Sequence, residues 1–161
     1  MITESIDEFQ LKLPKRQPIL GLDVGQKSIG LAISDINLKI ATGLKTIIRK
    51  KFTADVQLLM EIVNQREIGG IVLGLPKNMN GSEGPRCQST RAFAKNIATA
   101  LAIPITFWDE RLSTVAAERA LLEANTSRKK RSAVVDYVAA SYILQGALDR
   151  MSALTSNGKN K

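Results

Sequence analysis

The 161-residue sequence contains no histidine and a single cysteine, Cys87. A Ser-His-Asp or Cys-His nucleophile, an HExxH zinc site and a cysteine-rich metal cage are therefore excluded. One cysteine cannot form an internal disulfide, which agrees with a reducing compartment. No stretch approaches the ~20 uninterrupted apolar residues that a membrane span requires. Met1 to Gln10 carries Glu4, Asp7 and Glu8 and lacks a basic segment followed by an apolar run, so it does not read as a signal or transit peptide, and the cytoplasm is the expected compartment. Catalysis, if the chain is an enzyme, falls to carboxylates, Lys, Arg, Ser, Thr or Tyr. Carboxylates acting alone favour hard cations such as Mg²⁺ or Mn²⁺.

What is present in excess is positive charge. Lys plus Arg number 23 against 15 Asp plus Glu, a formal net charge of +8. A basic surface binds polyanions by displacing counterions from a phosphate backbone, although excess charge also serves solubility. The cluster Arg128-Lys129-Lys130-Arg131 favours the first reading.

The length suits one domain with a proper core. Residues 1–17 are polar and mixed in charge, run out through Pro14-Lys-Arg-Gln-Pro18, and read as a flexible leader. Ile19–Val24 and Ile29–Ser34 are short apolar runs joined by a turn at Gly25–Ser28 and predict a β-hairpin. Lys39–Lys51, rich in β-branched residues, predicts a third strand and hence an antiparallel meander. From Thr53, a plausible N-cap, the period becomes helical to about Arg66. Gly69–Leu75 is a buried strand reached by a parallel crossover, residues 76–85 a turn-rich loop, Arg86–Leu101 a helix, and Ile103 onward a fifth strand ending at Asp109-Glu110. A helix capped by Ser113 or Thr114 runs to Ala124, a basic connection spans Asn125–Ser132, the last helix covers Ala133–Met151, and 152–161 form a disordered tail. The expected fold is α/β: a mixed five-stranded sheet, three strands antiparallel and two parallel, with helices on both faces over residues 18–151.

Three acids stand in apolar settings. Asp23 lies within the first strand, where an anion is costly to bury unless cations or hydrogen-bond donors meet it; capping the Gly25 turn is the plainer role. Glu110 lies at the end of a parallel strand, where ligands of open α/β sheets bind. Successive strand residues face opposite ways, so one of Asp109 and Glu110 should face the site and the other cap the next helix or pair with Arg111. Asp136 shares its helix face with Ala133, Ala139, Ala140, Ile143 and Ala147, and must meet something positive unless a solvated first turn exposes it. Carboxylates from the first strand, the last strand and the last helix could together hold two divalent ions ~3.5–4 Å apart, the arrangement that serves phosphodiester hydrolysis.

Four motifs then coincide: Asp-Val-Gly-x-x-x-Ile-Gly-x-Ala-x-Ser-Asp (23–35), Gly-Leu-Pro-x-x-Met-x-Gly (74–81), Asp-Glu-Arg-Leu-Ser-Thr (109–114) and Asp-x-x-Ala-Ala-x-x-Ile-Leu-Gln (136–145). Over residues 18–150 they resemble the YqgF/RuvX family, bacterial proteins of RNase H-like fold related to Holliday-junction resolvases and described as nucleases trimming the 5′ end of pre-16S rRNA. The resemblance implies catalytic and metal-binding roles for Asp23, Glu110 and Asp136 with Mg²⁺ or Mn²⁺. The substrate is expected to be structured RNA or, as an alternative, branched DNA. Ser28 departs from the pattern, since relatives often carry a basic residue there. Lys27, Lys77, Arg111, Arg128, Lys129, Lys130 and Arg131 are the candidate nucleic-acid contacts, with 76–85 either a flap over the substrate or a plain surface connection. Phe107 and Trp108 read as core. A non-catalytic RNA-binding assembly factor is the rival outside enzymology. A sugar-kinase-like phosphate hairpin is a weaker rival, because the chain has no room for a second lobe.

Overall fold

The computed structural model of the chain describes residues 1–113, 124 and 128–159, with the side chains of 128–135 and 157–159 outside that description. Strands β1 (Ile19–Val24), β2 (Ser28–Ser34), β3 (Ala41–Ile48), β4 (Gly70–Leu75) and β5 (Ile105–Asp109) form one sheet in the order β3-β2-β1-β4-β5. β1, β2 and β3 are an antiparallel meander, and β4 and β5 add in parallel. The expected mixed sheet is therefore the observed one. β1 and β4 are buried along their whole length, as strands covered on both faces must be, and this is why both read as unbroken apolar runs.

Helices α2 (Phe52–Gln65) and α3 (Pro85–Ala100) cover one face. Their apolar stripes, among them Leu59, Ile62, Phe93 and Ile97, pack on Leu20, Leu22, Ile71 and Leu73. The expected Thr53 cap is not made: Lys51 occupies the N-cap of α2 and provides no side-chain hydrogen bond. The opposite face carries α1 (Ile6–Lys12) and the long helix α4 (Arg128–Lys159). Ala139, Ala140, Ile143, Leu144 and Ala147 lie on Ile19, Ala32 and Val72. Small residues bring α4 close enough that a Cβ at Gly21 would stand 2.7 Å from the Leu144 Cβ.

Three expectations fail here. Residues 1–17 are not a loose leader. Ser5 accepts a hydrogen bond from the Glu8 amide to start α1, Phe9 is fully buried, and Phe9 and Leu13 lie so close over β4 that a Cβ at Gly70 would meet both at 2.6–2.7 Å. Met1 to Thr3 also borders the outer edge of β5, through hydrogen bonds from the Ile105 amide to the Met1 carbonyl and from the Thr3 amide to the Ile105 carbonyl. Second, Arg128–Ser132 begins α4 rather than forming a connection, and the helix continues past Met151 to Lys159. The Gln10 side chain holds that end by donating to the Met151 carbonyl and the Thr155 hydroxyl. Third, Glu110 opens a 3₁₀ turn, Glu110–Leu112, instead of ending the strand. The expected helix over 113–124 lies outside the described residues. Phe9→Ala should destabilise the protein by about 3–5 kcal/mol, the usual cost of emptying an aromatic site in a core. Denaturant unfolding would measure it, and a loss near zero would mean that α1 adds nothing to the fold.

Candidate active site

Asp23, Gly21 and Ile19 alternate with Leu20, Leu22 and Val24 along β1, and the two sets meet different helical layers. Asp23 therefore faces α4. It pairs across the antiparallel ladder with Gly30, and the parallel register of Leu22 with Leu73 sets Gly74 on its other side. The acid is thus flanked on the same face by two residues without side chains, each about 4.8 Å away across the sheet.

Both glycines are required by what lies above them. A Cβ on Gly74 would stand 3.4 Å from the Glu110 carboxyl carbon and collide with Ile143. A Cβ on Gly30 would run into the backbone carbonyl of Asp136 and come within 2.9 Å of the Tyr137 amide. In sequence across the sheet, the structure sets Asp136 over Gly30, then Asp23, then Glu110 over Gly74. Residues far apart in the chain are brought to one end of β1. Asp23 and Glu110 are buried, at 9% and 7% exposure. Asp136 is half-buried and its Oδ2 accepts a short hydrogen bond from the Ser28 hydroxyl. It is not in a solvated first turn, because α4 begins two turns earlier at Arg128.

The adjacent acid takes the other role expected of the pair. Asp109 accepts hydrogen bonds from the backbone amide and the guanidinium of Arg111. These bonds, the guanidinium's foremost, hold its carboxyl below the usual carboxylate range. Asp109 is thereby occupied as a cap. Arg111 in turn donates from Nη1 to the Met79 carbonyl, tying the 3₁₀ turn to the 76–84 loop. That loop closes on itself through the Asn78 amide to the Ser82 carbonyl and the Gly81 amide to the Asn78 carbonyl. Lys77 lies 3.9 Å from Glu83, which is also clasped by Arg91. Lys27 is exposed in the β1–β2 turn. The backbone of Arg128–Arg131 sits five to eight residues before Asp136 on the same helix, roughly 8–12 Å farther along its axis. The side chains of these four lie outside the described residues.

The donor set is made of carboxylate oxygens, which suits hard divalent cations, and the absence of side chains at Gly30 and Gly74 lets α4 and the Glu110 turn pack down on the sheet on either side of Asp23. Among the described residues, no three acids are close enough to form a ready-made cation cage. Gly30 and Gly74 lie inside the sequence motifs, but the close packing above them does not show there, and Ser28, which departs from the family pattern, has a hydroxyl that reaches across 108 residues to Asp136.

The layering, the strand order and the acids at the end of β1 define an RNase H-like α/β domain of the resolvase type. Among solved structures, the RuvC protein of Thermus thermophilus in complex with a Holliday junction substrate superposes with a TM-score of 0.52 at 12% identity, over 84% of this chain and 96% of that one. A second RuvC structure from the same organism gives 0.51 at 13% identity, over 84% and 97%. Residues 17–150 match the family model RuvX, described as Holliday junction resolvase, and the chain belongs to that family. Proteins named "Putative pre-16S rRNA nuclease" are 63% identical in Ruegeria pomeroyi, over 96% of this chain and all of the relative, and 60% identical in Paracoccus denitrificans, over 96% and 98%. Among the described residues no helix is long and apolar enough to cross a membrane.

Proposed function

We propose that this chain is a cytoplasmic, divalent-metal-dependent nuclease that hydrolyses phosphodiester bonds in the 5′-end processing of pre-16S rRNA. The observation that carries the reading is the placement of two buried carboxylates, Asp23 and Glu110, at the same end of β1, with Asp136 on the helix above the neighbouring strand. Family membership and the names borne by its relatives support it.

Asp23, Glu110 and Asp136 would hold Mg²⁺ or Mn²⁺, which when bound supplies an activated water and neutralises charge on the attacking and leaving oxygens. The chain's own part is placement. β1 fixes the Asp23 carboxylate in the sheet, and the 3₁₀ turn brings Glu110 over Gly74. Packing of α4 excludes bulk water from the inner side of the acids. Arg111, Lys77, Lys27 and the basic residues Arg128–Arg131 would neutralise the phosphates of a bound strand.

Incubation of the purified protein with precursor rRNA carrying its 5′ leader, in Mg²⁺, Mn²⁺ or EDTA, tests the proposal. Metal-dependent shortening supports it; binding without turnover in any metal would make the protein an assembly factor. A four-way DNA junction belongs in the same assay, because the fold is shared with a protein solved on such a junction. Preferential junction cleavage would move the substrate to branched DNA.

Ser28 gives a graded test. Removing a group that orients a metal ligand typically costs about 10–100-fold in affinity or activity. Ser28→Ala should lower kcat/KM within that range with little change in melting temperature. Unchanged kinetics would mean that the hydroxyl does not orient Asp136 during turnover.

A further inference from the structure

On the other face of the sheet, a cavity of about 110 Å³ opens at the end of β1, lined by Val24, Gly25 and Gln26, by Arg49 after β3, and by Arg86 and Ser89 of α3. None of these residues is acidic. We infer that this cavity binds one phosphate group of the substrate strand, next to the phosphate that is cut. The inference deepens the nuclease reading and rests on it.

Three features carry the assignment. The first is size: the volume is far below the roughly 300 Å³ at which pockets begin to take drug-sized ligands, and is ample for a single oxyanion. The second is charge. Arg49 is held in place, with Nη1 donating to the Gly25 carbonyl at 2.7 Å and its guanidinium over the Phe93 ring. Among the described residues the acid paired with it is Asp55, 3.9 Å from Nε, which is buried in the first turn of α2 and also accepts from the Lys50 amide. Arg86 is exposed and forms no ion pair with any described residue. Glu83, the nearest acid before α3, is clasped by Arg91. Asp55 offsets Arg49, so the positive charge left to the cavity is that of the exposed Arg86, with Arg49 held beside it as a fixed guanidinium donor, the group best matched to phosphate oxygens.

The third feature is position. Val24 follows Asp23 directly, about 3.3 Å farther along the strand, and points to the opposite face. The cavity and the acids thus flank the same strand end. A nucleic-acid strand laid across it places one phosphate over Asp23 and a neighbouring phosphate against Arg49 and Arg86. Arg86 is a binding residue in this account and plays no part in the chemical step.

Two measurements test the inference separately from the nuclease reading. In the first, inorganic phosphate is titrated into the metal-free protein and followed by amide resonances. Shifts at Gln26, Arg86 and Ser89 that vanish in Arg86→Ala are expected; unmoved resonances overturn the site, whatever the protein cuts. In the second, single-stranded RNA is bound in EDTA. Arg86→Ala should weaken binding roughly threefold to tenfold and reduce the slope of log K against log salt by about 0.7, one phosphate contact. A neutral methylphosphonate at the linkage beside the scissile one should weaken the wild type and leave Arg86→Ala unaffected. An equal effect on both proteins overturns the assignment. Absence of cleavage alone sinks the proposed function and leaves the phosphate titration intact.

Discussion

Asp23→Asn should lower cleavage of precursor rRNA by about a thousandfold or more while leaving the fold intact. The estimate follows from the several kcal/mol of charge stabilisation that a carboxylate-held cation provides, each 1.4 kcal/mol being tenfold in rate. The substitution preserves shape, and Asp23 is walled by Gly30, Gly74 and α4, so no cavity or clash arises. Replacing a buried anion by a neutral amide also removes a desolvation cost, so the melting temperature should not fall. Initial rates in saturating Mg²⁺, with a thermal melt of the same sample, make the check. A variant that cuts at the wild-type rate would eliminate Asp23 from the chemistry, and with it the two-acid centre.

The largest structural effect is expected at Gly30. A methyl group there meets the backbone of Asp136 and Tyr137 rather than a side chain that could swing away. Helix α4 would have to lift from the sheet, loosening Ala139, Ala140 and Ile143. Gly30→Ala should cost about 3 kcal/mol or more, which for a chain of this length lowers the melting temperature by roughly 6–12 °C. It should also abolish activity by displacing Asp136. Gly84→Ala is the control: its Cβ would meet only the Asn78 amide nitrogen at 3.9 Å, and the loss should stay near or below about 1 kcal/mol. Equal melting points for the two variants would show that α4 does not seat on β2 as described.

What could be read in advance and what could not divide along physical lines. β1 and β4 announced themselves because strands covered on both faces have no polar alternation and are bounded by Pro18, Gly25 and Pro76. Asp23 and Asp136 were recognisable as charges in apolar surroundings, a local property. Helix α1 was overlooked although Ser5 and Glu8 form a recognisable start and Ile6 and Phe9 share a face. Seven residues with many charges form a helix only because β4 and α4 supply the surface on which Phe9 lands. The continuation of α4 beyond Met151 was hidden for the same reason: the partner that holds Thr155, Gln10, lies 145 residues away. Glycines 30 and 74 looked like hairpin and loop residues until the helix and the 3₁₀ turn above them were in place. Sequence reveals which groups are unusual, but clearance between two elements exists only once both are folded.

The amino-terminal three residues occupy the outside of β5, and this has a bearing on handling the protein. A sheet with unclaimed amides along a flank is a template for another chain. Among the described residues β3 is the strand at the other edge of the sheet, and it is interrupted by an irregularity opposite Leu31 and Ala32 and carries Lys45. A chain shortened to begin at Leu13 would uncover the second flank together with the apolar seat of Phe9, and should precipitate or form fibres where the intact chain stays dispersed.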